Sequence, residues 1–468
     1  MATIDVRTLT RLRAAAAAPP APWPRIALPA ATFVLTAAAR TWHINRHFAL
    51  LGDQIRDWGI ALGPFTSLPL VGPATHFGGY TIGPAFYWIL WAIRVVVGPL
   101  FDNLPHGGGI GQALLYSAAD ALLLMALWKR TGSPWLALSA VVVLATAPFD
   151  LALSAVIWNP VVGPILARTA TALILLGWHR RSLAHAAVTA AIAWSAVHSY
   201  TGAVFVALGI FAALVADEMF RRNWRAAAAR AGVVVAVVAA LQVPYLLHQA
   251  ARRFSQPAMG AVTGSIGGIV AGRNPLRVEA SAAAFTHAVA YIELKPWSVA
   301  AVGWILLVCA AVVTVRYRDD PVLLAVTVLP QLAAVAGYAL WAGDLQDYYY
   351  LSLMPAVVIT VLLALTTLVP APAARVAAVA VCLAAILAVP ARLRFASTLP
   401  RMPEYEILVR ASRQIAQRQQ PMQSIRAQFA LPPTADTEFI FRILGGRIDR
   451  RAEWRAQIAP DGRVSYSR

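Results

Sequence analysis

The chain is a succession of apolar runs separated by short polar breaks, and the runs have the length of membrane spans. Apolar stretches cover residues 135–156, 232–247, 298–315, 321–341 and 349–369, and a helix crossing the hydrocarbon core needs about 17 to 25 such residues. The pattern predicts an all-α polytopic membrane protein with about eleven transmembrane helices. Two stretches depart from plain spans. "IGPAFYWILWAIRVVVGPLF" is apolar enough to cross, yet it carries Arg94 in its middle and proline towards both ends. Counting it as a span would put the later basic loops on the wrong side, so it is predicted to be an interfacial helix in the first outer loop. Residues 184–215 are interrupted by "HSY" and Gly202, which predicts two short helices meeting at or below the outer surface.

Composition agrees with this reading. The 468 residues are 59% hydrophobic and only 13% charged, where a soluble domain carries about 25% charge. The net charge of +18 would point to nucleic acid in a soluble protein. In a membrane protein basic residues first report orientation, and no nucleic-acid partner is expected. Basic runs fall at alternate breaks: the N-terminus, "WKRTGSP", "HRRSLAH", "DEMFRRNWRAAAAR", "RYRDDP" and "PAPAAR". These are predicted cytoplasmic, with the N-terminus inside and the C-terminus outside. The first apolar segment has some features of a signal peptide and is read as an uncleaved first helix. The two cysteines, Cys309 and Cys382, lie in apolar runs and read as core residues.

The organisation expected is a cytoplasmic tail (1–25), a membrane domain (26–391) with outer loops at 42–111 and 248–297, and a C-terminal cap (392–468). In the cap, "PEYEILVRASRQIAQRQQ" has helical spacing, while "TEFIFRIL" and "RVSYSR" alternate like strands. A small α/β extracytoplasmic cap is therefore predicted. The glycine-rich "GSIGGIVAGRNP" reads as a flexible outer loop that could act as a lid.

Charged side chains within the hydrocarbon are costly and point to function. Asp120 and Arg168 are two such residues. They either pair across neighbouring helices, snorkel, or line a translocation pathway, and the last option would make the chain a lipid or small-solute transporter or flippase. Asp150 is counted among the external acids. The most informative acids are Asp53 and Asp57; Arg56 and Asp57 follow Asp53 by three and four residues, which puts all three on one face of a helical turn. A carboxylate beside a guanidinium stays ionised and suits a general base, and the arginine suits a phosphate. A self-satisfied surface ion pair fits the same spacing. Tyr348, Tyr349 and Tyr350 sit where tyrosine ordinarily anchors a span. His76, His198 and His287 lack metal-ligand spacing, and no HExxH, paired CxxC, Walker loop or GxSxG occurs.

The stretch "GDQIRDWGIALGPFTSLPLVGPATHFGGYTIGPAFYWIL" resembles the first external loop of bacterial C-type glycosyltransferases, which use lipid-linked sugars. That superfamily includes the protein O-mannosyltransferases and the lipid A aminoarabinose transferase. The family pattern is an acidic pair, a glycine-rich approach, then a proline and a tyrosine-tryptophan helix. Here these are Asp53-Gln54, Gly79, Gly83-Pro84 and Tyr87-Trp88. "SAVIWNP", "VHSYTGAVF", "DYYYLSLMP" and "DTEFIFRILGG" follow in the order found in that family. The sequence departs from the pattern at Gln54, where an acid is usual, and at Asn159, where many relatives keep an aspartate.

The resemblance implies a multi-pass enzyme of the bacterial inner (cytoplasmic) membrane. It would move a sugar from a polyprenyl-phosphate donor to a hydroxyl of an envelope glycan, lipid or protein acceptor. Asp53 would be the catalytic base of a single, inverting displacement. Arg56, Asp57, Tyr87, Asn159, Arg252, Arg253, Arg273, Lys295 and Tyr349 would bind substrate. No cofactor is expected, and the missing second acid weakens a divalent metal site.

Overall fold

The computed structural model describes residues 22–48, 50–75, 79–254, 260–290, 299–398, 405–419, 427–429, 435–448, 454–459 and 462–467. Lys295, His76 and nearly all of the predicted N-terminal tail lie outside these residues.

The membrane domain opens with α1 (Pro22–Thr41). Short helices α2 (Ile44–His47), α3 (Gly52–Leu62) and α4 (Ala85–Val96) follow, then a long α5 (Pro105–Thr131). The chain continues through α6 (Pro134–Ala145), α7 (Pro148–Leu153), α8 (Asn159–Leu175), α9 (Leu183–Ser199), α10 (Val204–Phe220) and α11 (Trp224–Ala251). Two shorter helices, α12 (Gly260–Val270) and α13 (Val278–Ala290), precede α14 (Val299–Arg316), α15 (Pro321–Ala339), α16 (Met354–Leu368) and α17 (Ala371–Thr398). Among the described residues seven helical segments are long and apolar enough to cross a membrane. About eleven spans were expected; α1, α6, α8 and α9 are further helices that fall short of that length or apolarity. Helix α4 has 12 residues, about 18 Å at 1.5 Å per residue, too short for a bilayer core of about 30 Å.

Polar side chains sort the bundle into two ends. At one end Lys129 Nζ donates to the Leu176 carbonyl at 2.9 Å, and Arg130 pairs with Asp320. At that end also, Arg180 donates through Nε and Nη2 to Asp217, each at 2.8 Å, and Arg230 reaches Glu218 at 2.7 Å. These are breaks that the charge pattern assigned to one side. Helices leaving this end are capped by Ser133, Ser182, Asn223 and Asp320, whose side chains accept from the backbone N–H three residues on. Such caps satisfy donors that the first turn leaves free.

Between the ends the core is rich in alanine (Ala137, Ala140, Ala167, Ala170, Ala190 and Ala193 among others). Small residues let backbones approach, which is how helices associate in lipid. At Gly209 of α10 a side chain would run into the Ala325 carbonyl and Pro330 of α15. The interruption expected near Gly202 is present. Tyr200 is extended (φ −149°), and a 3-10 turn (Thr201–Ala203) joins α9 to α10.

Two expectations are corrected. The glycine-rich outer stretch is not a loop: residues 260–270 form α12, and Ser265 Oγ accepts from the Ala342 N–H at 3.3 Å. Glycine lowers helix propensity without forbidding a helix. The Asn274 side chain folds back against Gly268. The segment "TEFIFRIL" lies in a helix, α19 (Ala435–Ile443), rather than a strand. The adjacent Ile440 and Phe441 are both buried, which strand alternation forbids.

The rest of the cap is α18 (Tyr405–Gln419) and a sheet of β1 (Ala427–Phe429), β2 (Trp454–Ile458) and β3 (Val464–Ser467). β1 and β2 are parallel, while β2 and β3 pair antiparallel with Ala456 opposite Tyr466. The cap's apolar core merges with that of the first outer loop through Phe48, Trp58, Tyr405 and Phe441.

Candidate functional site

Helix α3 opens the first outer loop, and its own first turn explains Gln54. The Gln54 side chain accepts from the Leu51 N–H at 3.0 Å, so the residue in the family's second acidic position caps the helix. The helix is pinned by Trp58, which is fully buried and donates from Nε1 to the Asn103 carbonyl at 2.8 Å. That fixes Asp53, Arg56 and Asp57 relative to the start of α5.

The three charged residues form one chain of contacts. Arg56 donates from Nη1 to Asp53 Oδ1 at 2.9 Å. It also donates from Nε and Nη2 to the two oxygens of Asp57, at 2.8 and 3.1 Å. Tyr87, thirty residues on, donates its hydroxyl to Asp57 Oδ1 at 3.0 Å. The Asp57 side chain is 0% exposed, and that of Asp53 is 56% exposed. Burial pushes the Asp57 carboxyl above the usual aspartate range, although Arg56 pulls the other way. Burial, and then Asp57, also push the Tyr87 phenol up, so it remains a donor. Asp57 thus has both oxygens committed, whereas Asp53 Oδ2 accepts no hydrogen bond among the described residues and its side chain is more than half exposed.

A second group of residues gathers below this loop. Asn159, at the start of α8, donates from Nδ2 to the Ser199 carbonyl at 3.1 Å. Its neighbour Trp158 packs on Tyr348, with ring centroids 5.1 Å apart. Tyr349 stacks on Tyr338 at 6.1 Å and lies 6.4 Å from Tyr200. Gly83 joins the two groups, because any side chain there would fall inside the His198 ring. Gly83 and Pro84 thereby set the start of α4, and Tyr87 follows within one turn.

The predicted basic residues are dispersed. His248 of α11 lies edge-on to Tyr80 of the first outer loop at 5.8 Å, and Arg252 follows it by one helical turn. Arg253 and Arg273 are exposed and form no side-chain bond or ion pair among the described residues. Neither contacts the Asp53 chain. Among the described residues no three His, Cys, Asp or Glu side chains gather as a metal site.

Asp120 and Arg168 do pair, but within a larger unit. Arg40 reaches Asp120 at 2.7 Å and Asp150 at 3.2 Å, and Arg168 contacts both acids. Tyr116 lies between the guanidinium groups, 4.4 and 4.7 Å from its ring centre. Asp150 is therefore not a solvated external acid, since it is buried in this neutral quartet. The sequence signal for Arg40 was a charge within the first apolar run. Nothing local distinguished Asp150.

Helical passes, a small α/β cap and an acidic helix early in the chain together make up a polytopic membrane fold that solved structures share. Among the solved structures that this chain resembles are two crystal structures of ArnT from Cupriavidus metallidurans. The one bound to undecaprenyl phosphate superposes with a TM-score of 0.54, and the apo state gives 0.53. Each comparison covers 93% of both chains at 16% sequence identity. No family model and no curated protein matches the chain.

Proposed function

We propose that this protein is an integral membrane glycosyltransferase that moves a sugar from a polyprenyl-phosphate donor to a hydroxyl acceptor. The observation that carries the reading is the Asp53–Arg56–Asp57–Tyr87 chain at the mouth of the first outer loop. The likeness to a fold that binds undecaprenyl phosphate in ArnT supports the donor class. In the reaction the acceptor oxygen attacks the anomeric carbon and its proton passes to Asp53. The bond from that carbon to the phosphate oxygen breaks, and the phosphate leaves with the electron pair. One displacement inverts the anomeric centre. Asp57 and Tyr87 position Arg56, which in turn orients Asp53.

Arg56 alone is a weak phosphate site because Asp57 already neutralises it. The leaving charge then falls to Arg252, one turn after the His248 that packs on Tyr80, with Arg253, Arg273 and Lys295 of the predicted outer loop 248–297. Asn159 and Tyr349 line the sugar side. No cofactor is part of the mechanism. The bacterial inner membrane, with the Asp53 end outside, is the setting this chemistry requires, and the acceptor is a glycan, lipid or protein of the envelope. The test is the stereochemistry of the product, read by NMR from the coupling at the anomeric proton. Inversion relative to the donor is expected, and retention would rule out a single displacement.

A further inference from the structure

We propose that a cavity between the cap helix α18 and the start of α5 is a binding site for a neutral saccharide. It shares no residue with the Asp53 chain, and the inference does not rest on the transfer reaction. The cavity has a volume of about 590 Å³, within the range of roughly 300–1,000 Å³ typical of small-molecule sites.

Its shape follows from the two faces of α18. Leu408, Ala411, Ser412, Ile415 and Ala416 are buried against the rest of the cap. The opposite face repeats at helical spacing through Glu406, Arg410, Arg413, Gln414 and Gln417, and all of these line the cavity. The far wall is formed by Leu100, Phe101, Leu104 and His106. Phe101 packs edge-on to His106 at 5.4 Å, and His106 Nδ1 shares a hydrogen bond of 3.0 Å with the Tyr405 hydroxyl. An Arg413–Asp102 bridge of 2.5 Å closes one side, and an Arg46–Glu406 pair at 3.6 Å tethers α18 to α2.

Asn45, Arg410, Gln414 and Gln417 line the cavity and form no side-chain hydrogen bond among the described residues. Amides offer both donors and acceptors, and a guanidinium offers a planar fork of donors. That set matches adjacent hydroxyls, which donate and accept at once. The half-buried Phe101 ring, beside exposed Leu100, offers a surface for the CH face of a sugar ring. Charge argues against an anion, because Arg410 and Arg413 are offset by Asp102 and Glu406 in the same lining.

The experiment uses the full chain in lipid nanodiscs and saturation-transfer NMR. The probes are neutral di- to hexasaccharides of glucose, galactose, mannose, rhamnose and N-acetylglucosamine. At least one series should bind, with affinity reduced about tenfold or more, at least 1.4 kcal/mol, in the Arg410→Ala, Gln414→Ala, Gln417→Ala triple variant. These side chains are exposed, so the fold should persist, as an unchanged melting temperature would confirm. Asp53→Asn should bind as the wild type does. Failure of every probe to bind, equal binding by the triple variant, or displacement of the sugar by excess inorganic phosphate would each overturn the proposal.

Discussion

Arg56 holds the proposed site together, with three of its N–H groups engaged by two carboxylates of different exposure. Removing the Tyr87 hydroxyl should loosen that arrangement from behind. Tyr87→Phe is expected to cost about 1.5–3 kcal/mol, the worth of a hydrogen bond to a charged group. It should lower turnover with little change in donor KM, and steady-state kinetics would show the split. Asp57 predicts a pH effect. Its carboxyl is raised by burial, so its contribution to stability is complete below the ordinary aspartate range and is lost as pH rises through the raised value. Asp57→Asn should flatten that part of the melting temperature profile, whereas parallel curves for the two proteins would contradict the assignment. The spacing of Asp53, Arg56 and Asp57 was legible in the sequence. Which acid is buried was not, because Tyr87 and Trp58 decide it through contacts 30 and 45 residues apart.

At the scale of elements, the start of α4 is set by the contact of Gly83 with the His198 ring. Gly83→Ala should displace α4, draw Tyr87 from Asp57 and abolish most activity. Adding His198→Ala should restore part of it by making room, and an equally active Gly83→Ala single variant would refute the contact. Apolar run lengths marked the spans at 232–247, 298–315, 321–341 and 349–369, because a bilayer fixes how much apolar chain is needed, whereas the run 135–156 breaks before Pro148 into α6 and α7. Local pattern failed at α12 and α19. Glycine content argued for a loop at α12, yet the segment is helical and Ser265 bonds to the turn after α15. At α19 a short apolar stretch fits either period, and packing of Phe439 against Gly59 of α3 belongs to tertiary structure alone.

At the scale of the molecule, the Arg40–Asp120–Arg168–Asp150 quartet ties α1, α5, α7 and α8 into one body. Breaking a buried pair costs about 3–5 kcal/mol, so Asp120→Asn should lower thermal stability sharply. Transfer per folded molecule should persist, since the quartet is not in the proposed site. A variant of normal stability that has lost function would instead favour the transport reading of these residues. The sorting of basic breaks to one end was readable from charge, while the quartet's full membership depends on helix adjacency. The central claim is that Asp53 is the general base of a sugar transfer. The measurement is transfer from a panel of radiolabelled polyprenyl-phosphate sugars in membranes, comparing wild type with Asp53→Asn at matched protein levels. A loss of roughly 100-fold or more is predicted, and equal transfer by the two proteins would take Asp53 out of the mechanism.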